Sequence, residues 1–114
     1  MSVLLNTASL NELLSLLGDE LRDIARLYVD QLDSELAELD AAWTAGDWPR
    51  LHRRAHALKG SSGNLGAVAL AETASRLEKA AQAGDAALVQ TELAALRQLA
   101  PATVQALRDG RYVR

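Results

Sequence analysis

The chain's two histidines, His52 and His56, lie in one short stretch with Lys59, Gly60, Gly63 and Asn64, and this is where its capacity for chemistry is concentrated. An exposed imidazole titrates at about 6.5, so near pH 7 it is mostly neutral and one ring nitrogen keeps a lone pair for nucleophilic attack or metal ligation. At about 100° per residue, Leu51, Ala55, Leu58 and Ser62 form one line on a helix, a narrow apolar or small stripe suited to a core. His52, His56, Lys59, Gly60 and Gly63 share the neighbouring sector, because positions three and four apart lie over one another. That sector should face solvent. Each glycine in a helix interior costs about 0.5–1 kcal/mol relative to alanine, so two of them there point to a need for room.

Other chemistries compete for these residues. His52 and His56 at i, i+4 are half of a metal site, but zinc needs a further ligand. With no cysteine and no third histidine, only a distant carboxylate could complete it, and Arg53 and Arg54 disfavour a cation. Ser61 and Ser62 lack a base placed to activate them, and Ser62 falls on the buried stripe, where small size suits close helix packing.

Elements that could hold this stretch are legible along the 114 residues, one domain's worth and enough to bury a core without disulfides. About half the chain is apolar, dominated by Leu and Ala with no Phe, which favours helices over strands. The absence of cysteine excludes disulfides, thiolate metal sites and redox chemistry. A net charge of −3 with interspersed signs offers no basic field, so nucleic-acid binding is disfavoured. No run reaches the roughly 18 apolar residues of a membrane span, and no basic, then apolar, leader opens the chain. A soluble, cytoplasmic protein is expected, and the initiating Met and self-contained helix signals favour a stand-alone one.

Thr7 or Ser9 is expected to cap a short first helix carrying Leu10, Leu13, Leu14 and Leu17, with Gly18 ending it. Asp19 opens a long second helix with Leu21, Ile24, Ala25, Tyr28, Leu32, Leu36, Leu39 and Trp43 inward. Gly46 ends that helix, Asp47 and Pro49 start the third, and Trp43 and Trp48 seal the end of the bundle at this turn. Helix three should stop within residues 61–64, where Ser, Gly and Asn leave the helical conformation easily, and the fourth should start near Leu65 to Ala67. Leu70, Ala74, Leu77 and Ala81 form its core line. Gly84 and Asp85 introduce a fifth helix with Val89, Leu93, Leu96, Ala100 and Leu107 inward, kinked near Ala100 by Pro101. Gly110 should close it, leaving residues 111–114 frayed. Short connections between long amphipathic helices predict an all-α, antiparallel up-down-up-down four-helix bundle with the first helix packed across one end. One such bundle can bury every apolar face, so a monomer is expected.

The run from His56 through Lys59, Gly60, Ser61, Ser62 and Gly63 to Leu65, Gly66 and Ala67, followed by Leu70, Leu77, Glu78, Gly84 and Asp85, resembles the signature of histidine-containing phosphotransfer (HPt) domains. The resemblance spans about Leu21 to Leu107. It implies a phosphocarrier that accepts a phosphoryl group on His56 from a receiver-domain aspartate and passes it to another receiver. Lys59 would offset charge on the phosphoryl oxygens, and Gly60 would let the partner's loops approach. His52, Arg53, Gly63 and Asn64 are assigned to the partner-binding rim. The implied partners are receiver domains of hybrid sensor kinases and response regulators. No stably bound cofactor is expected on the chain itself, since Mg²⁺ would sit on the receiver. Many HPt domains place a Gln where this chain has Glu78; a carboxylate there would repel phosphate but could orient a ring N–H. The alternative is a non-phosphorylated helical adaptor that binds partners through the same face.

Overall fold

The computed structural model describes residues 3–113. They form five helices: α1 (Thr7–Leu17), α2 (Asp19–Thr44), α3 (Trp48–Leu65), α4 (Val68–Ala83) and α5 (Ala86–Asp109). Packing links α2 to α3, α3 to α4, α4 to α5 and α5 back to α2, so four helices close a ring. α1 packs on α2, and its entry is tied to the α3–α4 connection, where the Asn6 N–H donates to the Gly66 carbonyl at 2.8 Å. No described helix is long and apolar enough to cross a membrane.

The core follows the apolar stripes. Leu51, Ala55, Leu58 and Leu65 of α3 meet Leu70, Ala74, Leu77 and Ala81 of α4, with Val89, Leu93, Leu96 and Leu107 of α5 closing the far side. Trp43 and Trp48 pack edge to face at the α2–α3 turn, with centroids 5.6 Å apart and planes at 87°. α5 runs unbroken through Pro101, which lies on its exposed side, so the apolar spacing continues in phase.

Four expectations are corrected. The cap of α1 is Asn6, whose Oδ1 accepts from the Ser9 N–H at 3.0 Å, while Thr7 is already helical. α3 does not stop within residues 61–64; it continues to Leu65 and ends at Gly66, whose φ of 87° is the left-handed conformation a glycine takes without strain. Burial of Ser62 against the Tyr28 hydroxyl, 2.7 Å away, holds the helix through a locally weak stretch. Ile24 is not inward but 48% exposed, because α1 covers only part of that side of α2. Nor are residues 111–113 frayed: Tyr112 and Val113 are buried, the Tyr112 hydroxyl donates to Asn11 Oδ1, and Arg22 Nε donates to the Arg111 carbonyl at 2.9 Å. Arg114 lies outside the described residues.

Candidate functional site

Helix α3 begins sharply, with Asp47 Oδ1 accepting the Arg50 N–H at 3.1 Å and Pro49 in the first turn, so the phase of its faces is set before the histidines are reached. Because Leu51, Ala55, Leu58 and Ser62 are all buried, His56 is turned outward, its side chain 65% exposed. His52 and Lys59 flank it on the same face and are partly covered.

Across the seam, α4 presents Glu78, whose side chain is only 12% exposed. Its Oε2 lies 2.6 Å from His56 Nδ1 and 3.6 Å from His52 Nε2, and its Oε1 accepts from Lys59 Nζ at 3.2 Å. One carboxylate therefore gathers three of the residues singled out from the sequence. Desolvation pushes the Glu78 carboxyl up, but hydrogen bonds from His56 and Lys59, together with their charges, outweigh it and hold the group below its ordinary value. An ionised carboxylate only accepts, so the proton of the contact sits on Nδ1, and in the neutral form of the ring Nε2 carries the lone pair.

A Cβ added at Gly60 would meet nothing within 4 Å, so the backbone beside His56 is open to an approaching molecule. At Gly63 it would touch only Ala71 Cβ, at 4.0 Å, which places Gly63 where the open face meets the α3–α4 packing. Arg53 is exposed and shares a shallow recess with His52, Trp48 and Gln82. Arg54 and Arg50 turn instead to Glu38 on α2, Arg54 at 3.5 Å. Asn64 is not part of the Glu78 cluster; with Ser61 it borders an apolar groove between α1, α2 and the end of α3. Among the described residues no group of three or more His, Cys, Asp and Glu side chains is arranged to hold a metal ion.

Sequence reasoning missed the shared role of Glu78, although its place opposite the histidine was noticed, and it missed the groove. Spacing alone puts Ile24 on the inward face of the second helix and gives Leu27 no role, whereas both are exposed.

In the neutral form of the His56 ring, the site can present a nucleophilic nitrogen of fixed orientation beside an ammonium and bare backbone. The family model described as the Hpt domain matches residues 23–110. Among solved structures, the chain is similar to histidine-containing phosphotransfer protein B (HptB) from Pseudomonas aeruginosa PAO1, with 27% identity and a TM-score of 0.90, over 97% of this chain and 96% of that one. Among curated proteins nothing matches.

Proposed function

The chain belongs to the Hpt domain family, phosphocarriers of phosphorelays rather than catalysts, and we propose that its acceptor is His56, loaded from the aspartyl phosphate of one receiver domain and emptied onto the aspartate of another. In the loading step the Nε2 lone pair attacks phosphorus in line, the P–O bond to the receiver's aspartate breaks, and the electron pair leaves with that carboxylate. Positive charge develops on the ring as the P–N bond forms. The Glu78 carboxylate on Nδ1–H offsets that charge, and because the ring keeps its proton it remains a good leaving group for the return step. Transfer is then reversible, as a relay requires.

The observation that carries this reading is the exposed ring of His56 held through Nδ1 by an ionised carboxylate, with open space over Gly60. Lys59 is already engaged by Glu78, so it serves as a bridge that can lean from carboxylate to phosphoryl oxygens. His52, Arg53, Gly63 and Asn64 border the approach and form the rim a receiver covers. Mg²⁺ and the acidic pocket belong to the receiver. In this reading the protein is a cytoplasmic monomer, the form in which the acceptor face stays open to each receiver in turn.

Incubation with a panel of phosphorylated receiver domains tests this. The wild type should take up acid-labile, base-stable label and His56→Gln none; equal labelling of the two would refute the assignment.

A further inference from the structure

Beside the histidine face, α1, α2 and the last turn of α3 leave an open groove of about 390 Å³, walled by Leu13, Leu17, Ile24, Leu27 and Tyr28 and flanked by Glu35. Its apolar walls are unusually bare, with Leu27 58% and Ile24 48% exposed. Ser61, next to Gly60, and Asn64, one turn beyond it, border the same groove, so it is continuous with the acceptor face. A body that seats in it and reaches past Ser61 comes over the open backbone of Gly60 beside the acceptor. A second copy of this chain would block the acceptor, whereas a receiver delivering phosphate must lie there.

Glu35 is the one charged residue in that lining. It is half-buried, and among the described residues no side chain is hydrogen-bonded to it or in an ion pair with it. Arg54, whose charge reaches it, is already paired with Glu38, and burial pushes the Glu35 carboxyl up by more than Arg54 draws it down. A wholly apolar occupant would strip its remaining water and leave an unpaired charge, which is costly, while an occupant carrying a cation would satisfy it.

We propose that Glu35 is a specificity-determining residue for the receiver partner: an apolar ridge of the receiver seats in the groove, and a lysine or arginine beside that ridge pairs with the Glu35 carboxylate. The groove supplies adhesion and the carboxylate rejects receivers lacking the cation. This inference rests on the phosphocarrier reading.

The test uses the full chain and the phosphorylated receiver that labels it best in the panel, with phosphoramidate as a small donor that needs no docking. Glu35→Gln should raise KM for the receiver about tenfold, less than the loss of one partner from a fully buried charge pair because Glu35 is only half-buried, and leave kcat within about twofold. Glu35→Lys should raise KM further, and Glu35→Asp should keep part of the wild-type affinity. Added salt should raise the wild-type KM and barely alter that of Glu35→Gln. Labelling by phosphoramidate should be the same in all four proteins. If the wild type accepts phosphate from receivers and KM ignores Glu35, the inference falls and the phosphocarrier reading stands. If no receiver labels the wild type while phosphoramidate does, both fall. A dimer in solution that Leu27→Asp dissociates, with KM unaltered, would assign the groove to a second copy and overturn the proposal.

Discussion

Oε2 of Glu78 lies 2.6 Å from Nδ1 of His56, so a carboxylate on α4 decides which nitrogen of a solvent-exposed ring on α3 is left free. Glu78→Ala should slow transfer from a receiver about tenfold, because a charge-assisted hydrogen bond contributes about 1.5–3 kcal/mol and the ring's exposure leaves only the lower part of that range. Glu78→Gln, whose amide oxygen still accepts the Nδ1–H, should lose less. Imidazole ¹⁵N shifts give an independent check: the wild type should show mainly the Nδ1–H tautomer and Glu78→Ala a mixture. Wild-type rates in Glu78→Ala would remove the orienting role.

Two glycines at opposite ends of the same half-helix should respond in opposite ways. Gly60 is helical with open space around it, so Gly60→Ala should stabilise the fold by about 0.5–1 kcal/mol, seen as a melting temperature a few degrees higher. Gly60→Glu should fold and accept label from phosphoramidate, yet lose at least roughly tenfold in transfer from a receiver, because its side chain holds the reacting atoms apart. Gly66 has φ of 87° and closes α3 against Asn6, so Gly66→Ala should cost about 1–2 kcal/mol. A Gly60→Glu variant that transfers normally would refute the steric role.

The Tyr28–Ser62 contact gives the fold an alkaline limit. Burial, more than the Ser62 hydrogen bond can offset, pushes the Tyr28 hydroxyl up to about 12, with the Glu35 charge adding to the rise. The folded state therefore holds the phenol proton more tightly than the unfolded state, which releases it near 10. This contribution to stability is whole below pH 10 and is lost as pH rises through about 12, at no more than about 1.4 kcal/mol per pH unit. Urea unfolding between pH 9 and 12 should show that decline in the wild type and a shallower one in Tyr28→Phe. Parallel slopes would mean that Tyr28 ionises as freely folded as unfolded.

What could be read from the residues alone follows from the range of the forces involved. The wheel through Leu51, Ala55, Leu58 and Ser62 is local geometry, so the outward turn of His56 was legible, as were Asp47 and Asp85 as caps and Gly18 and Gly84 as terminators. Glu78 is 22 positions from His56, and their meeting depends on the rotation of α4 about its own axis, which no single helix encodes. Ser61, Gly63 and Asn64 prefer to leave a helix, and a tertiary contact from Tyr28 overrides them. Ile24 and Tyr112 exchange their expected environments for a related reason: burial at a helix edge depends on which neighbour arrives, and here the C-terminal segment packs where none was anticipated.

That segment leads to a last prediction, which joins stability to docking. Within α1 only Leu10 is buried, so the helix relies on ties at its ends and flank. One is Asn6 to Gly66; another is the Tyr112 hydroxyl on Asn11 Oδ1, at 2.5 Å. Gly110 makes room for this tie, since a Cβ there would strike the Tyr112 ring. Tyr112→Phe should cost about 1 kcal/mol, the worth of one hydrogen bond. Tyr112→Ala, which also empties a buried aromatic site, should cost about 3 kcal/mol and lower the melting temperature by roughly 10 °C. Because α1 carries Leu13 and Leu17, one wall of the groove, its amides should exchange faster in Tyr112→Ala. KM for a phosphorylated receiver should rise while labelling by phosphoramidate stays normal. Unchanged protection of α1 in that variant would show that α2 alone holds the helix, and that the C-terminal clasp has no part in shaping the docking face.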